Sequence, residues 1–173
     1  ADNSRRLGRP YEAADRYHRA FERLRYELRR DFRNSTQWID YLFAFVGTGS
    51  FTNEDLLEAE QLIRRIYVKR HVFVATNPDR KQDFLMALSN ALQRCNAFQE
   101  SQNLLQGLLE EEATNLSART ALAQNFAVQQ RWEESAFHFE AVLKQDPTLP
   151  PARQANLWLA AAEVFRQVNR VHE

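Results

Sequence analysis

Apolar residues recur along the chain at spacings of three and four, as they do on helices that bury one face. The runs predict helices over residues 11–32, 35–46, 53–75, 79–94, 98–112, 116–130, 132–145 and 151–168. Val72-Phe73-Val74 is the one β-like run, and its place beside a helical pattern makes it the last turn of that helix. The breaks carry helix-ending chemistry: Gly47-Thr48-Gly49-Ser50, Asn77-Pro78, and Asp146-Pro147 ahead of Pro150-Pro151. Proline cannot continue a helix but suits the first turn of the next. Thr52, Asn53 and Ser117 are placed to cap helix starts by accepting backbone N–H bonds. Short connections turn consecutive helices into antiparallel neighbours, so the pattern predicts an all-α chain.

A second regularity lies on top of the first. Laying residues 85–109 over residues 119–143 places Leu88 over Leu122, Ser89 over Ala123, Leu92 over Phe126 and Phe98 over Trp132. The same offset carries Ser101 onto Ser135, Leu105 onto Phe139, Leu108 onto Val142 and Leu109 onto Leu143. A fixed period of this length signals stacked repeats.

Leu122-Ala123, Phe126, Trp132, Glu133-Glu134-Ser135, Phe139, Val142-Leu143 and Asp146-Pro147 resemble the tetratricopeptide repeat, a helix–turn–helix unit of the same period. In that pattern small residues sit where two helices cross closely and large ones fill the space between. The preceding unit keeps the spacing but has Ala113 where the proline belongs. A later match begins at Trp158 with Ala161-Ala162 and Phe165, displaced by slightly more than one period. The extra residues fall in the proline-rich connection, where an insertion costs little. Upstream, Trp38, Tyr41, Leu42 and Phe45 resemble a first helix, followed by an overlong second helix; Gly8, Ala13, Tyr17 and Ala20 resemble the second half of a still earlier unit. The resemblance implies a right-handed α-α superhelix of antiparallel helix pairs. Its divisions are the second helix of a truncated repeat (1–34), an irregular long repeat (35–78), two repeats (79–114 and 115–150) and the first helix of a truncated repeat (151–173). The expected chain is part of a longer array.

Composition narrows the function. The chain has 23 basic and 23 acidic residues, so no global field favours nucleic acid or a membrane, and no apolar run is long enough to span a bilayer. Arginine outnumbers lysine by 20 to 3 and gathers at the start, where residues 1–35 hold ten Arg against six acids. That first helix is therefore a second candidate site, for phosphate or an acidic polysaccharide, with Tyr11, Tyr17 and Tyr26 nearby but spaced like core residues. Ala1–Pro10 is polar and Arg-rich, unlike a signal peptide, and cysteine usage leaves the compartment open between cytoplasm and bacterial periplasm.

Catalytic chemistry finds little support. His18, His71, His138 and His172 are isolated from one another, with His138 expected at the surface, and Gly47-Thr48-Gly49 lacks the lysine of a phosphate loop. Cys95 stands beside Arg94, which would lower its pKa, but no base accompanies it and packing is its simpler role. Glu110-Glu111-Glu112 reads as a solvated helix end, and Asn34-Ser35-Thr36 and Asn115-Leu116-Ser117 as glycosylation triplets without assigned function. No enzyme, cofactor or metal is expected.

By resemblance, first helices line a concave partner-binding face. The residues expected to point outward are Asp83, Met86, Asn90, Gln93 and Arg94, then Ser117, Thr120, Gln124 and Val128, then Asn156, Leu159, Glu163 and Arg166. Their mixed character suits an extended peptide or a partner helix. Members that grip an acidic chaperone tail use Lys, Arg and Asn where this chain has Ile39, Phe43, Asn90, Ser117 and Ala121, so that specialisation is not expected. Ile39 and Phe43 either pack the irregular unit or form an apolar patch. The expected role is a non-catalytic scaffold for protein or peptide partners, of the kind found in bacterial secretion or polysaccharide-export assemblies, with self-association also open.

Overall fold

A computed structural model describes residues 3–145 and 151–171, with side chains for 14–144 and 155–169. Expectations placed on the side chains of Gly8, Tyr11 and Ala13, on the connection 146–150 and on His172 lie outside the described residues. Among the described residues the chain is all-helical: α1 Asn3–Arg30, α2 Thr36–Gly47, α3 Asn53–Thr76, a 3-10 turn Pro78–Arg80, α4 Lys81–Arg94, α5 Phe98–Glu111, α6 Leu116–Val128, α7 Trp132–Gln145 and α8 Pro151–Val171. Val72-Phe73-Val74 is the end of α3, as expected. The chain divides into two compact units at Ala97/Phe98, inside the stretch 79–114 that the sequence reads as one repeat.

In the first unit α2 is the central element, packed by α1, α3 and α4. Its side chains Trp38, Ile39, Tyr41, Leu42 and Phe45 are buried, because apolar residues occur on almost every turn of both its faces. The Trp38 indole N–H donates to the Phe32 carbonyl at 3.1 Å, and its ring lies 4.9 Å from that of Phe32. Phe73 stacks on Phe84 at 4.0 Å, joining α3 to α4. Each such buried ring contributes about 1.5–3 kcal/mol. Gly47 ends α2 beneath the ring of Tyr17, where a Cβ would come within 2.5–2.7 Å of ring carbons. α3 starts with a capping box: the Asp55 N–H donates to the Thr52 hydroxyl oxygen, while the Thr52 N–H is answered by the Asp55 carboxylate.

The second unit contains α5–α8, in which α6 packs on α5 and α7, and α7 on α8. Ala123, Ala136, Phe139, Val142, Leu157, Ala161 and Val164 form one apolar cluster. Ser135 donates to the Ala123 carbonyl at 2.8 Å, a contact that brings α6 and α7 close at small residues. Gln102 and Asn125 are both buried, and the Gln102 amide donates to the Asn125 side-chain oxygen at 3.0 Å. The cap of α6 is Asn115, not Ser117: its side chain accepts from the Ala118 N–H, and Ser117 stays exposed.

The eight like-for-like pairs from Leu88/Leu122 to Leu109/Leu143 each match in burial, buried on both sides or half-buried on both, while intervening pairs such as Cys95/Gln129 and Ala97/Arg131 differ. The helix endings also correspond. Asn96 has φ 57° and Gln130 φ 60°. The Ala97 N–H donates to the Leu92 carbonyl at 2.9 Å and Asn96 to Gln93 at 3.0 Å. At the equivalent places one period on, Arg131 donates to Phe126 at 3.0 Å and Gln130 to Ala127 at 2.9 Å. Both are Schellman endings, with a left-handed residue after the helix and a six-to-one bond closing it.

Candidate interaction surface

Each set of expected outward residues lies opposite its helix's packed side. On α4, Phe84, Leu85, Leu88, Ala91 and Leu92 are buried, while Asp83 is exposed and Met86, Asn90 and Gln93 are half-buried. On α6, Gln124, Ser117 and Val128 are exposed and Thr120 is half-buried. On α8, Asn156, Leu159, Glu163 and Arg166 are exposed around a packed side of Leu157, Ala161 and Val164. Glu163 and Arg166 form an ion pair at 2.5 Å on that face. Between α7 and α8 a cleft of about 410 Å3 is lined by Glu140, Leu143, Lys144, Trp158 and Phe165.

Arg94 departs from the expected set. Its Nη1 donates to the carbonyls of Phe45 at 3.0 Å, Val46 at 2.7 Å and Thr48 at 2.8 Å. The guanidinium also lies over the rings of Phe45 and Phe51, 5.3 and 5.1 Å from their centroids. Helices leave their last carbonyls without internal partners, and Arg94 supplies them for the end of α2. Burial lowers its pKa, and it is committed to holding the fold rather than to a partner's carboxylate.

Other candidates resolve from their surroundings. Cys95 is buried, and desolvation pushes its thiol up to about 12, outweighing the nearby Arg64 and Arg94 that lower it. The sequence expectation of a lowered value is thereby reversed. His138 is half-buried rather than on the surface, its ring stacked 5.5 Å from Phe126. Desolvation, then the charge of Arg119, lowers its pKa, with Glu134 opposing. Tyr17 and Tyr26 are exposed rather than in the core. Ile39 and Phe43 divide: Ile39 is fully buried and Phe43 is 46% exposed. Asn34, in the first glycosylation triplet, accepts from the Thr36 hydroxyl at 2.6 Å, and Asn115, in the second, is buried as a cap.

The arginines of α1 are largely occupied by carboxylates. Arg25 contacts Glu22 and Asp55 at 2.6 Å and Glu58 at 3.1 Å, and Arg29 also pairs with Glu58. Desolvation works against the Arg25 charge, but the Asp55 hydrogen bond and the three carboxylates together raise its pKa. Arg19 pairs with Asp15 and Arg23 with Glu27, Arg30 lies over the Tyr26 ring, and just beyond α1 Arg33 pairs with Asp31. The pairs with Asp15, Glu22 and Glu27 follow from spacing along α1, whereas Asp55 and Glu58 come from α3 and leave no sign in that spacing.

No group of three or more His, Cys, Asp or Glu among the described residues has metal-binding geometry, and no described helix is long and apolar enough to cross a membrane. No protein-family model, curated protein or solved structure matches the chain significantly.

Proposed function

We propose that the chain is a tetratricopeptide-like solenoid segment acting as a non-catalytic scaffold, with the outward faces of α4, α6 and α8 receiving protein or peptide partners. The observation that carries this reading is the correspondence at the repeat offset: matched burial at the eight like-for-like pairs between Leu88/Leu122 and Leu109/Leu143 and matched left-handed turns at Asn96 and Gln130. The receptive set is Asp83, Met86, Asn90 and Gln93 on α4, Thr120 and Gln124 on α6, and Asn156, Glu163 and Arg166 on α8. Arg94 is removed from it. A protein partner is favoured over phosphate or polysaccharide on α1 because carboxylates already meet most of the described α1 guanidiniums.

A photo-crosslinking residue at Asn90 or Gln124 should yield discrete adducts in a native extract that are missing when the same residue replaces the exposed Gln106 on α5. Equal labelling from all three positions, or none from Asn90 and Gln124, would contradict the assignment.

A further inference from the structure

The second half of α3 carries a surface that the scaffold reading does not use. Residues 61–78 hold Arg64, Arg65, Lys69 and Arg70 and no Asp or Glu. Within this stretch Ile66 and Phe73 are buried, but Val68 is 67% and Val72 37% exposed. Arg65, Val68, Val72 and Ala75 follow one another at spacings of three, four and three, and all are exposed. That alternation is the seam by which one helix packs along another. Lys69 and His71 flank the seam and are exposed. Arg65 is held by its position over the Phe32 ring, 3.9 Å from the centroid, and Arg64 by Glu60 at 2.9 Å, so part of the cationic edge is already positioned.

We infer that this face of α3 docks an acidic amphipathic helix of a partner protein, with the partner's apolar stripe on Val68 and Val72 and its flanking carboxylates against Lys69, Arg65 and His71. The charge argument identifies the occupant. An acid-free cationic stretch repels a basic helix, whereas Glu at the flanking positions of an apposed helix pairs with it. A protein helix is favoured over an anionic bilayer because the exposed seam offers two valines and no aromatic or leucine to enter the acyl region. It is favoured over nucleic acid because an apolar centre has no phosphate to neutralise.

The test uses a synthetic helix of about 28 residues with Leu and Ile at the seam positions and Glu at both flanking positions, which cannot pair with itself, and a control carrying Lys instead. The chain should bind the Glu peptide and not the Lys peptide, more weakly at about 300 mM salt than at about 50 mM. Val68→Asp and Lys69→Glu, both at exposed positions and checked for unchanged helicity, should each weaken binding by about tenfold. Asn90→Arg and Gln124→Arg should leave it unaltered, which separates this surface from the α4 and α6 faces. The inference fails if neither peptide binds, if both bind equally, or if the α3 variants bind as the parent does. Preferential binding of phosphatidylserine vesicles or duplex DNA through the same residues would also overturn it.

Discussion

Arg94 lies on the outward side of α4, where spacing alone assigns it to a partner, but its length lets the guanidinium reach back to three carbonyls at the end of α2. Arg94→Ala removes the donor to the Val46 and Thr48 carbonyls, while the Phe45 carbonyl keeps the Thr48 N–H, and should destabilise the first unit by about 2–3 kcal/mol in denaturant titration, with no specific effect on partner capture. Gly47 is a second position whose role comes from a distant helix. A methyl group there meets the root of the Tyr17 ring, so Gly47→Ala should cost about 1–3 kcal/mol, and Gly47→Ala with Tyr17→Ala should cost less than the two changes summed. Neither role is visible in the sequence, because both depend on a residue from another helix. His138 and Cys95 follow the same rule: their neighbours in sequence suggest solvent or a cationic field, and burial by other elements decides the outcome.

At the scale of elements, periodicity locates the helices and their order, since each must bury one stripe. Their ends are less legible, because caps depend on which side chain turns back onto the backbone. Thr52 is recognisable from Asp55 in the first turn, and the helix start at residue 116 points to Asn115, whereas a cap at Ser117 would need a start two residues later. Of the left-handed residues, Asn96 carries a sequence signal, since asparagine enters this region more readily than other side chains, but Gln130 carries none where glycine is usual. Gln130→Gly relieves that strain and should stabilise the second unit by about 0.5–1 kcal/mol, read as a higher denaturant midpoint at unchanged slope. The α1–α3 ion cluster predicts a pH dependence. The Thr52 hydroxyl and then Arg25 hold the Asp55 carboxyl below its ordinary range. Its folded pKa being the lower one, its contribution is complete above the unfolded value of about 4 and disappears as pH falls through the folded value. Asp55→Asn should therefore lower stability by about 1 kcal/mol at pH 7 and make the acid limb of the stability profile shallower than the parent's.

For the molecule as a whole, the all-helical class is legible from spacing, and the repeat offset is legible from residue size and polarity. The outward faces of α4, α6 and α8 follow from both, because a helix with one packed side must present the other. The cationic seam on α3 is not legible in this way: net charge is zero over the chain, the Arg-rich start dominates the charge pattern, and the valines of an acid-free stretch look like core in a linear reading. The central claim is that the chain is tiled by equivalent helix pairs that display a surface. An experimentally determined structure of the chain tests it most directly, through superposition of residues 85–97 on 119–131 and, separately, of 98–109 on 132–143. The account predicts that each pair of segments overlays along its length, with Asn96 and Gln130 left-handed. Helix endings that differ at these positions, or helices closed around a pocket that holds a metal or cofactor, would contradict it.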